Sequence, residues 1–70
     1  MYRIIYKTYS TEKSALNDLK KVSDKVTNAE VIKKQSYYLL QLYKTESYDR
    51  AKKGIAHYWS LGLCCGLMRE

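Results

Sequence analysis

The sequence predicts an α+β fold of ferredoxin-like βαββαβ order, a four-stranded antiparallel sheet with two helices on one face. Three observations predict it. Strand-like windows rich in β-branched and aromatic residues alternate with helical apolar stripes in that order. The halves, about 1–35 and 36–70, repeat each other: Tyr2 and Ala15 recur 36 residues on as Tyr38 and Ala51, and Tyr6-Lys7-Thr8 recurs 37 on as Tyr43-Lys44-Thr45. Two copies make a half-domain repeat, not a solenoid. The length, 70 residues, suits a single domain near the lower limit for a self-sufficient core.

Each element follows from its residues. Tyr2 to Tyr9 (YRIIYKTY) reads as a strand, with Tyr2, Ile4 and Tyr6 on one face and Arg3, Ile5 and Lys7 on the other. Ser10 or Thr11 offers an N-cap and Glu12 suits the first helical turn. Ala15, Leu19, Val22 and Val26, with Leu16 beside them, form one apolar helical stripe that ends at Thr27-Asn28. Ala29 to Lys34 is a short strand. Tyr37 to Lys44 (YYLLQLYK) is the most strand-like window of the chain. Ser47 caps the second helix, Asp49 lies in its first turn, and Ala51, Ile55, Tyr58 and Trp59 form its stripe. Gly62 terminates it, and Leu63 to Arg69 is the last strand.

Composition limits the function classes. An apolar share of 46% is too high for a disordered segment, and no window approaches the roughly 18 apolar residues of a membrane helix. Arg3 and Lys7 bracket a run too short for the apolar region of a signal peptide. Cys64 and Cys65 are adjacent, without zinc or redox spacing; the ordinary account is two small semi-apolar strand residues, one facing each way. Two free thiols fit a reducing compartment, so the expected location is cytoplasmic, or the cell envelope for a piece of a larger anchored protein. A multi-domain enzyme, a membrane protein and a disulfide scaffold are excluded.

Thirteen Lys and Arg against seven Asp and Glu give a formal charge of +6, which favours an acidic protein face, nucleic acid or anionic lipid. The pairs Lys20-Lys21, Lys33-Lys34 and Lys52-Lys53 are separated, with no continuous basic tail, and a merely solvated surface is a more ordinary account of them than a steering patch.

The spacing of the two halves carries a resemblance. Tyr2-Arg3-Ile4-Ile5-Tyr6-Lys7-Thr8-Tyr9, a polar turn and Ala15 parallel Tyr38-Leu39-Leu40-Gln41-Leu42-Tyr43-Lys44-Thr45, a polar turn and Ala51. Each half resembles the repeat of the SPOR (sporulation-related) domain, a peptidoglycan-binding module of about this length. That repeat runs roughly Tyr-x-Val-Gln-Leu-Gly-Ser-Phe, then a turn and a helix whose first buried residue is alanine. The resemblance implies this βαββαβ fold and a glycan ligand. The chain departs where the family's first-strand glutamine falls at Ile5 and its strand-end glycines at Lys7 and Tyr43, positions that do not supply a flat polar glycan groove.

With Tyr2, Ile4, Tyr6, Tyr38, Leu40 and Leu42 in the core, Arg3, Ile5, Lys7, Leu39, Gln41 and Tyr43 are assigned to the uncovered sheet face. An Ile/Leu/Tyr patch rimmed by Lys and Arg resembles the centre and rim of a protein interface. The alternatives are a homodimer face or a tolerated half-apolar surface. Eight tyrosines among lysines also suit base stacking, and the RNA-recognition fold shares this element order. Its third-strand signature is absent, since Tyr37 to Tyr43 holds no glycine, and with no phenylalanine in the chain the tyrosines are needed in the core.

Nothing points to catalysis. His57 lies on the polar side of its helix, and no Ser, Cys or carboxylate stands at a spacing that makes an oriented base or triad. No metal-ligand cluster or phosphate-cradling glycine loop is present, and no cofactor is implied. The expected function is that of a small, basic, non-enzymatic binding protein that docks on a macromolecular partner. Its concrete form is a stoichiometric inhibitor of a host protein, of phage or mobile-element type, directed at an acidic or nucleic-acid-handling target. Peptidoglycan binding and single-stranded nucleic-acid binding are the alternatives.

Overall fold

The computed structural model describes residues Met1–Arg69. Its elements are β1 (Tyr2–Tyr9), α1 (Glu12–Ser23), β2 (Glu30–Lys33), β3 (Tyr38–Thr45), α2 (Tyr48–Ser60) and β4 (Gly66–Arg69). The strands form one sheet in the order β2-β3-β1-β4, with every neighbouring pair antiparallel. The ferredoxin-like arrangement expected from the sequence is the one found.

The helix ends follow from local chemistry. Thr11 caps α1, its hydroxyl accepting the Ser14 backbone N–H at 3.3 Å, with Glu12 in the first turn and Lys20 and Lys21 in the last. Ser47 caps α2 in the same way, accepting from Arg50 N–H at 3.3 Å, with Asp49 in the first turn. Gly62, at φ +84°, ends α2 in a Schellman turn: Leu63 N–H donates to the Tyr58 carbonyl at 2.9 Å and Gly62 N–H to the Trp59 carbonyl at 3.0 Å. The turn drops Leu63 into the core, so the last strand begins at Gly66 and not at Leu63. Cys64 and Cys65 therefore lie in the connection; Cys64 is exposed and Cys65 half-buried.

The β1–β3 ladder contains two irregularities that cancel. Pairing runs Tyr2↔Thr45, Arg3↔Lys44 and Ile4↔Tyr43, then skips Leu42 to Ile5↔Gln41, then skips Tyr6 to Lys7↔Leu40, and continues to Tyr9↔Tyr38. A residue inserted in each strand restores the register but breaks the inside–outside alternation on both.

The core forms where Ile4, Leu40 and Leu42 meet Val22, Val26 and Leu63, with Tyr6, Leu19, Ile55 and Tyr58 packed around them. Ala15 and Ala51, both fully buried, mark where the helices come closest to the sheet in their first turns. The flanks of the expected stripes lie outside the core: Leu16 is 42% exposed and Trp59 54%. The Trp59 indole N–H donates to the Cys65 carbonyl at 3.0 Å, in the connection before β4. The far ends of the layers are tied by Tyr9, whose hydroxyl donates to Asp18 Oδ2 at 2.7 Å, and by the Tyr2 and Tyr48 rings 5.5 Å apart.

Gly54 packs directly over Ile4. A Cβ at Gly54 would lie 2.8 Å from Ile4 Cδ1, whose side chain is fully buried. Alanine adds about 1 kcal/mol of helix propensity at this position, while overpacking costs about 1–3 kcal/mol. Gly54→Ala is expected to lower the urea midpoint in the native background and to raise it in an Ile4→Val background, where Cδ1 is gone. Stabilisation in both backgrounds would show that the helix does not press on Ile4.

Burial first, and then the Asp18 carboxylate, push the Tyr9 phenol above its ordinary value of 10.0; burial raises Tyr58 as well. The unfolded chain thus releases these protons before the folded chain does. The stability they contribute is complete below about pH 10 and falls as pH rises through the folded values. Tyr9→Phe should cost about 0.5–1.5 kcal/mol at neutral pH and flatten the alkaline decline of the unfolding free energy. An unchanged alkaline slope would contradict the bond.

Candidate functional site

Paired residues of an antiparallel ladder share a face, so the register builds the uncovered side of the sheet. Arg3 stands between Lys44 and Met68, and Ile5 between Gln41 and Gly66. On the other side of β3, Gln41 pairs with Glu30 and Leu39 with Ile32. Ile5, Ile32, Leu39 and Met68 do not belong to the cluster between sheet and helices. The register places all four on the opposite face, with Ile5, Ile32 and Met68 half-buried and Leu39 fully buried.

A polar relay crosses three strands of this face. Arg3 Nη1 donates to Gln41 Oε1, and Gln41 Nε2 donates to Glu30 Oε1 at 3.0 Å. Gln41 is only 2% exposed, so an unpartnered amide here would be costly; the relay satisfies it at both ends. Leu39 is fully buried between the flanking strands. The two central residues therefore set the level of the face, while the half-buried Arg3, Ile5, Ile32 and Met68 present its accessible surface.

Of the six residues assigned to this face from sequence, Arg3, Ile5, Leu39 and Gln41 lie on it and Lys7 and Tyr43 do not. Tyr43 pairs with the core residue Ile4, packs against the core cluster and lines a groove with α2, because the skipped Leu42 reverses the alternation beyond Gln41. Lys7 pairs with the core residue Leu40 for the matching reason on β1, where Tyr6 is skipped; its ammonium lies 5.1 Å from the Tyr6 ring centre. Glu30, Ile32, Lys44 and Met68 were missed. Alternation along β2 contained the signal for the first two.

Two depressions flank Tyr43. One, of about 430 Å³, lies against α2 and is lined by Tyr43, Arg50, Lys53, Gly54, His57 and Tyr58. The other, of about 340 Å³, is lined by Asn28, Glu30, Gln41, Tyr43 and Lys44, at the edge where β3 outruns β2. His57 meets the Tyr58 ring edge-on, with centres 5.6 Å apart. Burial and then Cys64 raise the Cys65 thiol, which disfavours the thiolate a nucleophile requires. Among the described residues no group of three His, Cys, Asp or Glu is placed to hold a metal ion, and no helix is long and apolar enough to cross a membrane.

The relay can be tested by a double-mutant cycle on Glu30→Leu and Gln41→Leu. Gln41→Leu is expected to cost about 1–3 kcal/mol in urea denaturation, and the pair to couple by about 0.5–1.5 kcal/mol. Strict additivity would mean that the relay is not formed in solution.

Comparison with known proteins found no family model, no curated protein and no solved structure that matches the chain.

Proposed function

We propose that the chain is a small basic binding protein that docks the open face of its sheet on an acidic protein partner. The observation that carries this reading is the second apolar surface, Ile5, Ile32 and Met68 over a buried Leu39, separate from the core that closes the fold. Covering the exposed remainder of those three side chains contributes on the order of 1 kcal/mol each. Arg3 and Lys44 flank the patch and suit carboxylates on the partner. The formal charge of +6 adds long-range attraction to the same class of target. The concrete form is stoichiometric occlusion of a site on a larger protein, as phage or mobile-element inhibitors act on host proteins.

The test is capture from nuclease-treated lysate at moderate salt, followed by reconstitution with the purified partner. One protein bound at equal stoichiometry is expected, with binding lost in the Ile5→Asp, Ile32→Asp double variant while far-UV circular dichroism is unchanged. Should that variant unfold, Ile5→Thr with Ile32→Thr keeps the β-branched shape and should still weaken binding about tenfold. Undiminished binding by a folded double variant would overturn the reading. So would a homodimer that the same substitutions dissociate.

A further inference from the structure

The groove on the helix side is unlike the docking face in its chemistry. Arg50, Lys53 and His57 follow one another at i, i+3 and i+7, and so share one side of α2. Gly54, which packs on Ile4, forms the floor between them, and Tyr43 and Tyr58 complete the lining. No carboxylate lines it. It is a shallow depression of about 430 Å³, open to solvent, so a ligand held there keeps one side in water.

We infer that this groove is a nucleotide-binding site, in which Arg50, Lys53 and His57 hold the phosphate and Tyr43 and Tyr58 bear against the base. The two halves of the lining select the ligand class together. A guanidinium meets two phosphate oxygens with its planar fork, and the lysine and imidazole nitrogens add donors on the same wall. Phosphate alone leaves the tyrosines unused. A neutral aromatic covers them but leaves two cations beside it without counter-charge. A phosphate ester with an attached planar base uses both, and that chemistry is shared by a free nucleotide and by one unit of a single strand. The site lies on the helix side of the sheet, so it does not depend on the docking reading above.

The experiment is an amide nitrogen–proton NMR titration of the whole chain with AMP, adenosine, inorganic phosphate and a short oligothymidylate. AMP is expected to shift the amides of Tyr43, Arg50, Lys53, Gly54 and His57 to saturation, with adenosine and phosphate each binding about tenfold more weakly. Arg50→Gln with Lys53→Gln should lose about tenfold in AMP affinity, whereas Lys20→Gln with Lys21→Gln, an equal charge change on α1, should leave it intact. Tighter binding of the oligonucleotide on the same amides assigns the phosphate to a single strand; tighter binding of AMP assigns it to a free nucleotide. The inference is overturned by shifts that avoid the groove, by adenosine or phosphate matching AMP, or by equal losses in the two lysine-bearing double variants.

Discussion

The absence of a side chain at Gly54 lets α2 lie directly on Ile4, and much of the architecture follows from that approach. A chain of this length has few large residues to spare for a core, so its layers must come close before enough apolar surface leaves water. Ala51, one turn earlier on α2, and Ala15 on α1 serve the same end: each is fully buried where its helix meets the sheet. With α2 held low over β1, the Schellman turn at Gly62 can return Leu63 to the core and start β4 beside β1. Beside this contact lies the depression that Tyr43 and Tyr58 line together with Arg50, Lys53 and His57.

The elements were legible because their signals are local: caps at Thr11 and Ser47, helical stripes anchored by Ala15 and Ala51, and β-branched or aromatic runs between them. What failed was the assumption of unbroken alternation. The skipped residues Leu42 and Tyr6 are ordinary strand formers, with no glycine or proline to mark a bulge, so nothing in either strand alone signals the interruption. Lys7 and Tyr43 lie beyond those interruptions and were therefore assigned to the wrong side. Leu16 and Trp59 failed for a different reason. Helical periodicity identifies an apolar arc but not how much of it a four-stranded sheet can cover, and these two lie at its margin.

Gln41 bears on the resemblance to the SPOR repeat. It stands at the glutamine position of the second half-repeat and does lie on the open face, yet both ends of its amide are engaged by Arg3 and Glu30. A sugar hydroxyl seeking that amide must reach a group that is 2% exposed and already shared with two charged neighbours. Glutamine at this position of this sheet is a cross-strand tie. Side-chain identity at a matching position is thus compatible with a different physical role, decided by the neighbours that the register supplies.

The charge distribution separates the two surfaces. On the open face Arg3 and Lys44 are partly offset by Glu30, so under the proposed docking the burial of Ile5, Ile32 and Met68 would be the larger source of binding energy. The α2 groove holds Arg50 and Lys53 with no carboxylate in its lining, so the proposed phosphate contact there would be mainly electrostatic. Salt weakens the second kind of contact far more than the first, because screening acts on exposed charge and leaves apolar burial nearly untouched. The chain's net charge therefore bears on the approach of an acidic partner rather than on the contact made at the sheet face. Half-buried apolar side chains describe that face better, and the cations of the helix side describe the groove.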